Sequence, residues 1–270
     1  MSINIKKPIA FIISSTNHGS MIVNKNDYFK SNDGGFGVGY QILNTSSFDH
    51  DEVNLVLTIL QKRYKYFNEG VVAIDCGSNI GVHTIEWARL MTGWGKVYSF
   101  EAQEKLFYAL AGNIAINNCF NVSAKNVAVG SRVGNINIPQ PNYLESGSYG
   151  SLEIRKKTNN EFIGQEVDYD KTVSIDMLSI DSLKLKRLDF IKIDVEGMEE
   201  EVLDGSVKTI DALKPVLLIE HIKSNKGKLV DFLSSRNYSL IELGINILAI
   251  HNEDPLSRDV STAGNTFKIN

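Results

Sequence analysis

The chain has 270 residues, 43% of them hydrophobic, which is enough for one sizeable α/β domain with a modest extension and too apolar for disorder. A net charge of −4 and a pI near 5.8 leave no general electrostatic footprint for nucleic acid. Two cysteines, Cys76 and Cys119, can build neither a disulfide framework nor a zinc finger, which fits a reducing, cytoplasmic setting.

Lys6 and Lys7 followed by the apolar run Ile9–Ile13 have the outline of a signal peptide, but the run is too short and no small-residue cleavage site follows it. A buried strand is the better reading, and no other stretch approaches the ~18 apolar residues of a membrane span. Residues 1–48 read as a β-rich extension, with strands at Ile9–Ile13, Ser20–Val23 and Phe36–Leu43 and turn chemistry at Asp33-Gly34-Gly35. A helix follows. Asp49 can cap it, Glu52 stands three residues on, and Val53, Val56, Leu57, Leu60, Tyr64 and Phe67 recur at helical spacing. Its aromatic end reads as core packing.

A domain over 49–252 then alternates strand and helix. Val71–Asp75, Lys96–Glu101 and Val122–Val129 are strands, with helices at Ile80–Met91 and Gln103–Asn117 between them. Residues 131–182 interrupt this rhythm with Gly, Asn, Ser, Pro139 and Pro141 and read as an insertion of hairpins and loops, extended again over Glu166–Ile175. The alternation resumes with strands at Leu188–Asp194 and Pro215–Glu220 and helices from Gly197 and over Asn225–Arg236. Ser239–Leu243 and Ile245–Ile250 close it as a hairpin around Gly244, and the polar tail 253–270 has little to bury. The pattern is an α/β fold with a mostly parallel, doubly wound sheet and an antiparallel C-terminal hairpin.

In Val71-Val72-Ala73-Ile74-Asp75-Cys76-Gly77-Ser78-Asn79-Ile80-Gly81 a buried strand opens through a glycine turn into a helix. Gly77 permits the sharp turn and Gly81 the close packing of helix on strand. The backbone N–H groups of Ser78 and Asn79 lie where a carboxylate can be held. A dinucleotide site needs glycines at the first, third and sixth positions; here two glycines stand four apart and an aspartate precedes them. Asp75 would repel a pyrophosphate and tolerate an ammonium, so the spacing favours S-adenosyl-L-methionine over NAD. Glu101 ends the next strand, 20 residues after Gly81, where it can accept hydrogen bonds from both ribose hydroxyls. Asn126, at the end of the third strand, can either meet the adenine edge or be an ordinary polar strand residue.

Phe190-Ile191-Lys192-Ile193-Asp194-Val195-Glu196-Gly197-Met198-Glu199 runs a buried strand into acids and a glycine, and Val216-Leu217-Leu218-Ile219 ends in Glu220-His221. Ligands bind at the carboxyl ends of such strands, so Asp194, Glu196, Glu220 and His221 can converge beside the cofactor. His221 suits proton removal from a hydroxyl, with Asp194 and Glu220 as the other catalytic candidates. The carboxylates could instead hold a divalent metal, or only order a loop. His18, His50, His83 and His251 have no ligand cluster around them and read as surface or packing residues. Ser146–Ser151, with Tyr149, is a lid or a plain connector.

Together these segments resemble the FkbM family of methyltransferases over roughly residues 70–222. The carriers are Ile74–Gly81, Phe100-Glu101-Ala102, Ser174-Ile175-Asp176, Phe190–Glu199, Val202-Leu203-Asp204-Gly205 and Ile219-Glu220-His221, with Ile193–Gly197 the most specific. Cys76-Gly77-Ser78 stands where the family usually has Val-Gly-Ala. The resemblance implies a class I Rossmann-like methyltransferase fold and O-methylation of a sugar, glycan, polyketide or other small hydroxyl. A methyltransferase of nucleic-acid bases finds no Pro-Pro-Tyr-type motif, no Pro-Cys nucleophile and no basic excess. A catalytically silent cofactor-binding module is the other alternative, against which Asp194, Glu196 and Glu220 weigh.

Overall fold

The computed structural model describes residues 8–31, 34–263 and 266–269; Lys6, Lys7 and Asp33 lie outside them. In chain order the strands are β1 (Phe11–Thr16), β2 (Gly19–Asn24), β3 (Phe29–Ser31), β4 (Gly34–Phe36), β5 (Val71–Cys76), β6 (Gly95–Glu101), β7 (Val122–Asn126) and β8 (Ala128–Val129). They continue with β9 (Gly134–Pro139), β10 (Thr172–Leu178), β11 (Phe190–Ile193), β12 (Val216–Glu220), β13 (Tyr238–Leu243), β14 (Asn246–His251), β15 (Val260–Ala263) and β16 (Thr266–Ile269). The helices are α1 (Val38–Thr45), α2 (His50–Phe67), α3 (Val82–Leu90), α4 (Glu104–Ile116), α5 (Glu199–Asp204), α6 (Val207–Leu213) and α7 (Lys226–Ser234).

Seven strands form the central sheet in the order β13-β14-β12-β11-β5-β6-β7. The five from β12 to β7 are parallel, and β14 runs antiparallel between β12 and β13. Strands buried on both faces carry apolar side chains at every position, because successive residues point to opposite sides. Val71 and Ala73 accordingly pack with α2, α3 and α4, and Ile74 and Cys76 with α5, α6 and α7. On the first face Trp87 meets Phe190 edge to face, with ring centroids 5.3 Å apart. Strand order reverses between β5 and β11, so the crevice above their carboxyl ends is the binding position of the fold.

The expected hairpin around Gly244 is present as β13 and β14, and its second strand is the one inserted next to β12. Several expectations are corrected. The run Phe36–Leu43 is not a strand: β4 ends at Phe36, Gly37 turns at φ +118°, and α1 follows. The Asp27 carboxylate accepts the Gly39 N–H at 2.9 Å and so caps α1 from 12 residues upstream, a contact no local pattern encodes. Gly34 and Gly35 belong to β4 rather than to a turn.

Asp49 stands at the start of α2 but does not cap it; its carboxylate accepts from the Gln41 amide instead. Nor is the tail idle. Leu256 is fully buried, and Asp254 forms a buried ion pair with Arg63 of α2, which also bonds Asp189 at 3.3 Å. Lys62 and Tyr66 both hold Asp259.

The β1–β2 hairpin lies on α4, where the Asn113 side chain bonds both the N–H and the C=O of Ile22. The insertion forms a separate sheet of order β8-β10-β9, its second strand at Thr172–Leu178 rather than Glu166–Ile175. Among the described residues no helix is long and apolar enough to cross a membrane.

Candidate active site

The glycine loop is shaped by what lies against it. Gly77 has φ +82° and touches the backbone of Asp194, while Gly81, at φ +91°, packs on Leu110. A β-carbon at either would overlap its neighbour, at 1.7 Å from the Asp194 carbonyl oxygen and 2.4 Å from Leu110 Cδ1. Ser78 fastens the loop to β5 and β6: its hydroxyl donates to the Asp75 carbonyl at 2.9 Å and accepts from the Phe100 N–H at 3.1 Å. The loop is therefore braced from within the protein.

These residues line a cavity of about 410 Å³ at the crevice between β5 and β11. Asp75 is buried at its base. Thr84 donates to one of its carboxylate oxygens at 2.6 Å, and the other, Oδ1, has no hydrogen-bond partner among the described residues. A buried anionic oxygen without a donor is costly, and a ligand donor would satisfy it. Glu101 accepts the Asn79 N–H at 2.8 Å and the Gln103 N–H at 2.7 Å, one on each oxygen. Burial pushes its carboxyl up to about 7 despite those two donors, with Asp75 and Asp194 adding to the rise.

A second cluster meets them from β11 and β12. Carboxylate oxygens of Asp194, Glu196 and Glu220 lie within 4.8 Å of one another, and all three residues line the cavity. Two lysines answer two of these acids. Lys192, buried on β11, donates to Asp194 at 2.6 Å, and Lys223 pairs with Glu196. Burial alone would depress the Lys192 ammonium, but Asp194, Glu52 and Asp75 hold it above its ordinary range. Glu220 makes no ion pair among the described residues, and Lys192 and Lys223 lower its carboxyl only from a distance. Burial, and then the charges of Asp194 and Glu196, push its carboxyl up to about 9, and Glu196 rises to about 8 because burial outweighs Lys223. The group is a place to hold a proton close to neutral pH. A divalent ion could also take the three oxygens, although two of the acids already have cations of their own.

Asp75, Gly77, Ser78, Asn79, Gly81, Glu101, Asp194 and Glu220 thus share one cavity, as their positions in the sequence suggest. Two candidates do not join them. The Asn126 amide donates to the carbonyls of Glu101 and Ala102, at 2.8 and 3.0 Å, and the cavity is lined instead by the next three residues, Val127–Val129. His221 lies just past the end of β12; it does not line the cavity, and its Nε2 is buried without a hydrogen-bond partner among the described residues.

His83, read from the sequence as a packing residue, is buried and lines the cavity, and its Nε2 lies 3.2 Å from Glu52. Lys192 carried a usable signal, a charge inside an otherwise apolar strand. Lys223, Glu52 and Gln103 carried none. Neither did the N-terminal segment, which brings Phe36, Val38, Gln41 and Phe48 to the cavity wall. Tyr149 is fixed rather than a free lid: Gln103 donates to its carbonyl at 2.8 Å, and Asp27 accepts its N–H at 3.1 Å.

Among solved structures, the chain is similar to an FkbM methyltransferase from Methylobacillus flagellatus KT, at 19% identity and a TM-score of 0.46. The match covers 69% of this chain and 46% of that one, so the chain spans just under half the length of that protein. It is also similar to the Pyrococcus abyssi tRNA (uracil-54, C5)-methyltransferase in complex with S-adenosyl-L-homocysteine (14% identity, 89% and 44% covered, TM-score 0.42). A third likeness is to M. jannaschii TYW2 in complex with AdoMet (13% identity, 91% and 85% covered, TM-score 0.43). What each of these acts on is a property of that protein. No curated protein matches the chain. The family described as Methyltransferase FkbM domain matches residues 75–240, from the first acid of the glycine loop into β13. With that match over more than half of its length, and with the strand order of a class I, Rossmann-like methyltransferase, the chain belongs to the FkbM methyltransferase family.

Proposed function

We propose that the protein is an S-adenosyl-L-methionine-dependent O-methyltransferase that acts on a hydroxyl of a sugar, glycan or other small molecule. One observation carries this reading: the unsatisfied Asp75 Oδ1 and a Glu220 with no ion pair among the described residues belong to the same cavity, one suited to a cofactor ammonium and the other to a substrate proton. The residues present fit the cofactor. Asp75 would take its ammonium, the Gly77–Gly81 turn its carboxylate and Glu101 its ribose hydroxyls, with Val127–Val129 beside the base.

The bound cofactor supplies an electrophilic methyl group on a sulfonium. With that methyl supplied, the part of this chain would be to align the hydroxyl and to accept its proton at a carboxylate. Glu220 is the acceptor of that proton. Burial raises its carboxyl to about 9, so in the free protein it holds a proton at neutral pH; the cation of a bound cofactor would lower it and ready the ionised form to accept the hydroxyl proton. Asp194, pinned by Lys192, orients the hydroxyl. His221 has no part in this scheme, and Asn126 supports the backbone before the base-binding strand.

Calorimetry with S-adenosylmethionine tests the cofactor half. The catalytic half is tested by Asp194→Asn and Glu220→Gln, which should still bind the cofactor and lose methyl transfer. Full turnover in both variants would overturn the roles given to these acids. Two lysines already neutralise Asp194 and Glu196, so transfer should persist in a chelator; its loss, restored by magnesium, would give the cluster a metal instead.

A further inference from the structure

The cavity has two kinds of wall. Its floor is charged, and its exposed rim carries large apolar side chains beside two acids, Asp49 and Glu161. Three large apolar side chains with about half of their surface exposed stand on the lining: Phe36 at 48%, Ile222 at 55% and Ile245 at 49%. They come from three places distant in sequence, the end of β4, the loop after β12 and the turn between β13 and β14. Ile222 and Ile245 are tied into one edge, because the His221 N–H donates to the Ile245 carbonyl at 3.0 Å. Phe48 and Ile154, partly buried, line the same cavity.

The apolar surface also continues outward. Phe29 and Phe36 are direct partners across the β3–β4 ribbon and so lie on one face of it, and Phe29 stacks edge to face on Phe162, which is 52% exposed. Exposed aliphatic and aromatic residues scattered singly need no explanation, but several that line one cavity do. Volume sharpens the point. About 410 Å³ lies near the small end for enclosing one drug-sized ligand, so with a cofactor inside, little more than the reacting end of an acceptor can enter. The body of the acceptor stays at the mouth.

We propose that the acceptor is an amphipathic alcohol, whose hydroxyl enters the acidic floor beside Glu220 while an alkyl, prenyl or aryl body lies across Phe36, Ile222 and Ile245. This inference rests on the methyltransferase reading above and narrows its acceptor, setting bare sugars aside.

The probes are methyl β-D-glucoside and hexyl β-D-glucoside, which share every hydroxyl and differ only in an apolar tail. Both are titrated by calorimetry into the full chain saturated with S-adenosylhomocysteine. Hexyl glucoside should bind about tenfold or more tighter than methyl glucoside, since each buried methylene strengthens association. Ile222→Glu and Ile245→Glu, both at exposed positions, should remove that preference and leave S-adenosylhomocysteine binding unchanged. Equal binding of the two glucosides, no binding of hexyl glucoside by the loaded protein, or a preference untouched by both variants would each overturn the proposal. Failure of S-adenosylhomocysteine itself to bind would instead overturn the cofactor reading.

Discussion

A β-carbon at Gly77 would stand 1.7 Å from the carbonyl oxygen of Asp194, so the glycine loop and the acidic segment are packed backbone against backbone. The Asp194 N–H completes the join by donating to the Cys76 carbonyl at 3.0 Å. Any side chain at position 77 must part the two halves of the site.

Gly77→Ala tests this directly. The left-handed backbone alone costs an alanine about 1–2 kcal/mol, and the overlap with backbone adds to it. Urea unfolding should show a loss of at least about 2 kcal/mol, together with weaker cofactor binding. A variant with wild-type stability would mean that the loop does not approach Asp194 this closely.

Glu101→Ala removes an acceptor for two backbone N–H groups of the loop as well as the proposed ribose contact. Hydrogen bonds to a charged group are worth about 1.5–3 kcal/mol each, so cofactor affinity should fall about 100-fold, read by calorimetry. Asn126→Ala, by contrast, should leave affinity close to wild type, because its amide faces the backbone.

The raised carboxyls make a prediction about pH. Glu220 titrates at about 9, Glu196 at about 8 and Glu101 at about 7 in the folded chain, each above the ordinary 4.5. The folded state therefore holds more protons than the unfolded state between these limits, and its stability falls as pH rises from about 5 to 9. The contribution of these groups is fully present below the ordinary carboxyl range and is lost through the folded-state values. Melting temperatures across that range should decline, and Glu220→Gln, which never ionises, should flatten the upper part of the decline. The same variant should lose transfer by about 100-fold or more, the usual contribution of a positioned base.

His221→Ala should keep most of the wild-type turnover, because the side chain lies outside the cavity. Turnover measured beside Asp194→Asn separates the two neighbours of Glu220. A collapse in His221→Ala alone would return the base to the histidine.

Arg63 anchors the far end of the domain. It is buried between Asp189, ahead of β11, and Asp254 of the C-terminal segment. Truncating one member of a buried ionic set leaves charge uncompensated, and Arg63→Ala should cost about 3–5 kcal/mol in urea unfolding. Deleting the residues after Asn252 should destabilise the chain for the same reason.

Much of this molecule was legible in its residues because the relevant signals are local. Four-residue runs, apolar but for Lys192 and each closed by an acid, mark strands β5, β11 and β12, and glycine spacing with the leading Asp75 separates the loop from a dinucleotide site. The acids Asp75, Glu101, Asp194 and Glu220 were found because each ends a strand, and parallel strands deliver their ends to one edge. Phe36–Leu43 misled because a short apolar run has no period that tells strand from helix, and the capping carboxylate of Asp27 is 12 residues away.

The sequence by itself determined the strand–helix alternation around the site, the loop that turns at Gly77 and the acids at the carboxyl edge, since hydrophobic period and glycine placement act within one segment. The tertiary structure alone decided which acids keep a counter-ion, which side of β12 faces the cavity and what covers its mouth. Lys192 answers Asp194, Lys223 answers Glu196, and Glu220 has no ion pair among the described residues, while Phe36, Ile222 and Ile245 line one cavity from three distant segments. Charge and burial act through space between residues far apart along the chain, and only the folded packing sets those distances.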